Sequence, residues 1–243
     1  MYVIGQLETT LIQIISQVPL SDLPMRSIRI CVLGAGAVGK SSMTVRFVHG
    51  SFYENYDPTV SVPAPHRNPN SRLHVQIEDS FTKIAQVEQG KLCRMQITDT
   101  AGVEQMVSLR ESVIRESSAF LLVFALNNPS TYHDLMPIME DIKRIKDTND
   151  VKRIPILLCG NKVDLGFEIV KPDLLGTGMF PADFKPTGAL QGLSYLETSA
   201  KLEIGVEKAF MDLAKMYIDA RKHRKRRHRE RSRKGSKSKC ILM

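Results

Sequence analysis

Residues 34–41 read GAGAVGKS: a glycine, four residues, a second glycine, then Lys40 and Ser41. Ahead of them, residues 28–33 (IRICVL) are β-branched and apolar, as a buried strand requires. Behind them, residues 42–49 (SMTVRFVH) place Met43 and Phe47 on one helical face. Strand, glycine loop and helix together form the context in which this pattern cradles a polyphosphate. Gly34 and Gly39 let the backbone turn tightly. Successive N–H groups of Gly36, Ala37, Val38, Gly39 and on to Ser42 then point at phosphate oxygens, reinforced by the positive end of the helix. Lys40 reaches the β and γ phosphates in this reading, and Ser41 offers a hydroxyl to magnesium.

The chain has 243 residues, and no long linker divides its middle, so one domain with appendages is expected. A hydrophobic content of 42% is enough for a substantial core, and a mean hydropathy of -0.15 suits a soluble chain. Cys31, Cys93, Cys159 and Cys240 are scattered without metal spacing, which points to a reduced, cytosolic environment. The first three lie in apolar runs and read as buried small hydrophobes. The net charge of +8 is concentrated at one end: residues 221–243 hold twelve Lys or Arg against Glu230 alone, leaving residues 1–220 net acidic.

Residues 1–26 carry an apolar stretch, but Glu8 and the lack of a preceding basic residue make them a poor secretory signal, and poor order is expected. Residues 52–60 (FYENYDPTV) read as a loop whose Thr59 is a candidate second magnesium ligand. Residues 60–76 contain Pro63, Pro65 and Pro69 and no apolar period, the mark of an inserted loop. His66 and His74 within it lack partners at ligand spacing and read as solvated. Strands are expected over residues 77–87 and 91–98, the second running into Asp99 and the sequence DTAG. A carboxylate at the carboxyl end of a core strand is placed to sit behind a nucleotide-bound magnesium. Residues 119–126 (AFLLVFAL), flanked by helical stretches near 104–117 and 131–146, and residues 154–159 (IPILLC) are buried-strand runs. Residues 160–165 read GNKVDL, residues 195–201 YLETSAK, and a final amphipathic helix carries Val206, Phe210, Leu213 and Tyr217. Strands alternating with helices give an α/β fold, a mostly parallel sheet covered on both faces with its ligand loops at the strands' carboxyl ends.

The glycine loop, YDPT, DTAG, NKVD and TSAK, in that order, resemble a Ras-type small GTPase of the Ras and Rap branch over about residues 27–220. The resemblance implies a P-loop NTPase small G domain with a six-stranded sheet, binding GTP or GDP with magnesium. It implies that Asn161, Lys162 and Asp164 read guanine, Asp164 accepting from the ring N–H and exocyclic amine, and that adenine is rejected about 10⁴-fold because it leaves the carboxylate unpaired. It places the Ala200 N–H at the guanine oxygen, Ser199 and Lys201 in support and Phe52 against the base edge. It also gives Thr59 to magnesium and the γ-phosphate, Asp99 to the magnesium, and the Gly102 N–H to the γ-phosphate, with effectors, an activating protein and an exchange factor as partners.

Three departures stand out. Val103 occupies the place where the family has a water-orienting Gln, so intrinsic hydrolysis at or below roughly 10⁻⁴ per second is expected. Removing residues 60–76 would rejoin the chain as YDPTIEDSF, and the segment starts with a GT-type valine codon and ends on a glutamine whose codon can be CAG, which reads as a short intron translated in frame. Residues 166–194 lack the amphipathic helix the family has there. The chain ends in Cys240, Ile241, Leu242 and Met243 behind the basic run, a CaaX terminus that favours farnesyl on Cys240. One prenyl chain plus basic residues at about 1 kcal/mol each imply reversible attachment to the anionic cytoplasmic face of the plasma membrane, with no specific nucleic-acid partner. A second class of reading, set against the switch, is a guanine-nucleotide-stabilised scaffold that does not hydrolyse.

Overall fold

The computed structural model describes residues 25–53, 79–88, 91–100, 107–148, 150, 153–165 and 186–238. β1 (Arg26–Leu33) leads through the glycine loop into α1 (Lys40–His49). β2 (Asp79–Glu88) and β3 (Lys91–Asp99) form an antiparallel hairpin. Then come α2 (Val107–Glu116), β4 (Ala119–Ala125), α3 (Ser130–His133), α4 (Leu135–Ile145), β5 (Ile156–Asn161), β6 (Ser194–Glu197) and α5 (Val206–Ser238). The sheet order is β2-β3-β1-β4-β5-β6, and every pairing except β2 with β3 is parallel. This is the α/β small G domain architecture expected from the sequence.

Parallel strands with helices on both sides must be apolar on both faces, and the alternation shows where each face goes. All seven residues of β4 are buried. Leu121 and Val123 join Ile28, Ile30 and Val32 of β1 against Met43 and Phe47 of α1 and Phe210 and Leu213 of α5. Phe120, Leu122 and Phe124 point the other way, with Cys31 and Leu33, against Ile114 of α2, Tyr132 of α3 and Leu135 and Ile142 of α4. Phe47 and Phe210 stack at 4.2 Å between ring centroids, joining α1 to α5. Cys31, Cys93 and Cys159 are buried thiols, as expected of small core hydrophobes. Burial raises the thiol pKa of Cys93 and Cys159.

One element differs from the sequence reading. The single helix expected over residues 131–146 breaks at Asp134 into α3 and α4. Pro137 explains the break: its ring has no N–H and would meet the carbonyl of His133, so the helix restarts with the proline in its first turn, where the missing donor costs nothing. The last helix, whose end the sequence reading left open, continues through the basic run to Ser238. Lys and Arg are good helix formers, and no proline interrupts them. Among the described residues no helix is long and apolar enough to cross a membrane. Residues 1–24, the insertion at 60–76 and most of the segment from 166 lie outside the described residues.

Candidate nucleotide site

The glycine loop leaves β1 at the carboxyl edge of the sheet, and its conformation shows why glycine is required. Gly34 has φ +153°, and a Cβ there would lie 2.0 Å from the Val123 carbonyl oxygen. Gly39 has φ +96°, and a Cβ would meet Asn161 Nδ2 at 2.3 Å. Gly36, by contrast, has open space on its Cβ side. Ala37 adopts a left-handed φ of 60°, which an L-residue does at a cost of about 1 kcal/mol. Lys40, 6% exposed, folds back over the loop and donates to the carbonyls of Gly34 and Ala35, both at 2.8 Å. Ser41 and Ser42 follow in the first turn of α1.

Three separate loops meet at Asn161, the last residue of β5 and almost fully buried. Its Nδ2 donates to the Val38 carbonyl at 2.9 Å, holding the glycine loop. Its Oδ1 accepts from the Ala200 N–H and from Thr198 Oγ1, both at 3.3 Å, holding the loop after β6. Ser199 Oγ donates to Asp164 Oδ1 at 2.5 Å and accepts from the Leu202 N–H at 3.0 Å, so the Asp164 carboxylate is fixed in direction. Lys162, in a left-handed turn at φ 71°, is half-buried beside it. Burial lowers the Lys162 pKa, and the neighbouring Asp164 charge works against that shift.

These loops line a cleft of about 630 Å³, within the range of ordinary small-ligand sites. Ala37, Gly39, Ser41 and Ser42 lie on the side of the glycine loop; Asn161, Lys162, Asp164, Ala200 and Lys201 lie on the other; Phe52 closes a wall. Left-handed amides and Lys40 at one end, and a fixed carboxylate with a backbone N–H at the other, suit a phosphorylated base. The donor set also fits magnesium. Asp99 is 1% exposed at the end of β3, where register pairs it with Val32 and Thr100 Oγ1 donates to the Val32 carbonyl at 2.7 Å. That sets a carboxylate beside the strand that feeds the glycine loop, with Ser41 just beyond it in the first turn of α1. One carboxylate and one hydroxyl are what a cation needs when phosphates and water complete its shell. Thr59, Gly102, Val103 and Cys240 lie outside the described residues.

Sequence reasoning missed Arg46. From α1 its Nε donates to the Ala200 carbonyl at 2.9 Å, one Nη to the Lys201 carbonyl at 3.0 Å and the other to the Gly50 carbonyl at 2.8 Å, with its guanidinium 5.8 Å from the centre of the Phe52 ring. It buttresses the far loop and the aromatic wall at once. Its signal in the sequence is a lone cation four positions from the helix's C-cap glycine, which surface arginines share. Val45, Ser51, Tyr53 and Leu165 also line the cleft without a motif to announce them.

The fold, the loop geometry and the cleft agree with the comparison to known families. The family model described as the Ras family matches residues 29–219, most of the chain, and the chain belongs to the Ras family of small GTPases.

Proposed function

We propose that this protein is a membrane-anchored GTP/GDP switch of the Ras and Rap branch with slow intrinsic hydrolysis. The observation that supports the reading best is the Asp164 carboxylate, aimed by Ser199 Oγ at 2.5 Å on the rim of the cleft. Guanine offers it two N–H donors, whereas adenine would leave it desolvated and unpaired. The glycine-loop amides and Lys40 bind the β and γ phosphates, while Ser41, Thr59 and Asp99 hold magnesium. Held by these residues, magnesium would supply positive charge that offsets the charge building on the phosphates during transfer. Water attacks the γ-phosphorus, the bond to the β–γ bridging oxygen breaks, and GDP and phosphate leave. The Gly102 N–H and Thr59 lose their γ-phosphate contacts on hydrolysis, which releases the loops that effectors recognise.

Val103 can neither accept a proton nor orient water, so an activating protein must bring a polar side chain of its own. The same residue favours a second reading, a nucleotide-stabilised scaffold that cycles by exchange alone. Single-turnover hydrolysis of bound GTP separates them: a slow rate of roughly 10⁻⁴ per second or less that rises in Val103→Gln supports the switch. No product from either form leaves the scaffold. Binding that prefers ATP sinks both.

Anchoring rests on Cys240, farnesylated, acting with the basic run at the cytoplasmic face of the plasma membrane. A Cys240→Ser variant that stays on membranes refutes it. The insertion at 60–76 reads as a translated intron, and message sequencing that finds these codons in every transcript removes that reading.

A further inference from the structure

At the end of the sheet opposite the nucleotide cleft, where β4 and β5 begin, lies a second cavity of about 580 Å³ whose lining includes Lys146, Arg153, Arg221 and Arg224. We propose that this cavity binds a compact polyanion, a cyclitol or sugar carrying two or more phosphate groups.

The four cations come from three places in the chain: the end of α4, the approach to β5, and α5. A helix's own surface charge would not draw such separate segments around one hollow. Among the described residues, Asp147 is the only carboxylate in the lining. The ends of α2 and α4 add roughly half a negative charge each at this pole. Four cations against one carboxylate and two helix ends leave about two positive charges before Asp150, paired with Arg153, is counted and about one after it, an excess that favours an anion. Arg153 also pairs with Asp150 at 3.0 Å, but that pair is largely exposed and weak enough to yield to a ligand.

Lys146 is the fixed point. Its ammonium donates to the carbonyls of Ser117 at 2.6 Å and Arg115 at 3.0 Å and lies 5.6 Å from the centre of the Phe120 ring. Burial, and then the like charge of Arg29 and Arg115, lower its pKa, as expected of a cation lacking an adequate counter-charge. An anion entering the cavity relieves that stress.

The rest of the lining favours a ring over inorganic phosphate. The Tyr217 ring, with Arg221 Nη1 donating to its hydroxyl at 3.1 Å, gives a flat apolar face with a cation beside it. Ser118 and Thr148 add hydroxyls suited to a polyol. Such a ligand has two sources, a phosphoinositide headgroup in a membrane and a free inositol phosphate.

The test uses the full chain loaded with GDP and titrated calorimetrically with inositol trisphosphate, with inorganic phosphate as the small-anion arm. Arg153→Gln combined with Arg224→Gln should weaken inositol trisphosphate binding by roughly tenfold or more, the loss expected when charge-assisted hydrogen bonds are removed. Neutralising Arg227, Arg229, Arg231 and Arg233 to Gln should change it less than threefold, because those positions come after Arg224 along α5. Unchanged GDP affinity in both variants certifies the fold. Vesicles carrying phosphoinositide, compared with phosphatidylserine vesicles of equal charge, then distinguish the sources. A preference that the cavity variant abolishes assigns the lipid; soluble binding without that preference assigns the free compound. Binding that follows the outer basic residues instead of the cavity, equal affinity for inorganic phosphate, or no binding in any arm overturns the proposal.

Discussion

Arg46→Ala is the perturbation that most directly tests how the nucleotide cleft is held together. Arg46 makes three hydrogen bonds to backbone carbonyls, but only two, to Ala200 and Lys201, cross from α1 to the loop on the opposite side of the cleft. The third, to Gly50, stays at the end of α1 and concerns local helix closure. The side chain is 14% exposed, so water screens these bonds only in part. At about 1 kcal/mol net for each crossing bond, the loop loses about 2 kcal/mol of positional restraint. If that restraint is realised when nucleotide is bound, the off-rate rises about 30-fold. The assay is displacement of a fluorescent GDP analogue by excess unlabelled GDP, with thermal unfolding of the GDP-free protein alongside. Arg46→Lys should recover only part of the effect, because an ammonium cannot span both carbonyls in a planar fork. An off-rate within twofold of the unaltered protein would falsify the buttressing role, as would a rise fully matched by lost stability of the GDP-free form.

Gly34→Ala should abolish stable folding or nucleotide retention, since its Cβ would overlap the Val123 carbonyl at 2.0 Å, whereas Gly36→Ala, with open space around it, should keep the fold within about 1 kcal/mol by urea denaturation. Ala37→Gly removes the left-handed penalty but adds chain entropy to the unfolded state, so a net gain of about 0.5 kcal/mol is expected and a loss of stability would contradict the strain assigned to φ 60°. Phe210→Ala should cost about 3–5 kcal/mol by taking away the ring stacked on Phe47. Cys93 and Cys159 have thiol pKa values raised by burial from 9.0, so the folded state keeps their protons where the unfolded chain releases them. Stability is full below about pH 9 and falls above it by up to about 1.4 kcal/mol per pH unit for each thiol. Cys159→Ala should flatten that slope between pH 9 and 10, and an unchanged slope would show that other groups cause it.

How much of this was legible depended on whether the determining contacts were local. The glycine loop is a short covalent pattern with fixed backbone needs, so GAGAVGKS announced both its strand and its helix. The buried strands β4 and β5 were legible because two-sided burial leaves an unbroken apolar run. Asn161 could be singled out by its motif, but its role as the post on which the Val38, Thr198 and Ala200 contacts converge belongs to the assembled fold. Arg46 was invisible for the same reason: the two carbonyls it reaches across the cleft lie more than 150 residues away. The break before α4 was written in Pro137 and went unread because the apolar period ran across it. The length of α5 was hidden by composition, since a change in charge at residue 221 says nothing about the backbone, and the arginines beyond it extend a helix as well as they attract anions.

The sheet acts as a partition between two compartments of apolar side chains. Along β4, Leu121 and Val123 serve one chamber while Phe120, Leu122 and Phe124 serve the other. Trimming a side chain in one chamber leaves the second fully packed, so the penalties of substitutions on opposite sides should sum with little interaction. Slipping β4 by a single residue would send Leu121 and Val123 into the second chamber and Phe120, Leu122 and Phe124 into the first, misfitting both together, so the register of that strand is a setting the whole domain depends on.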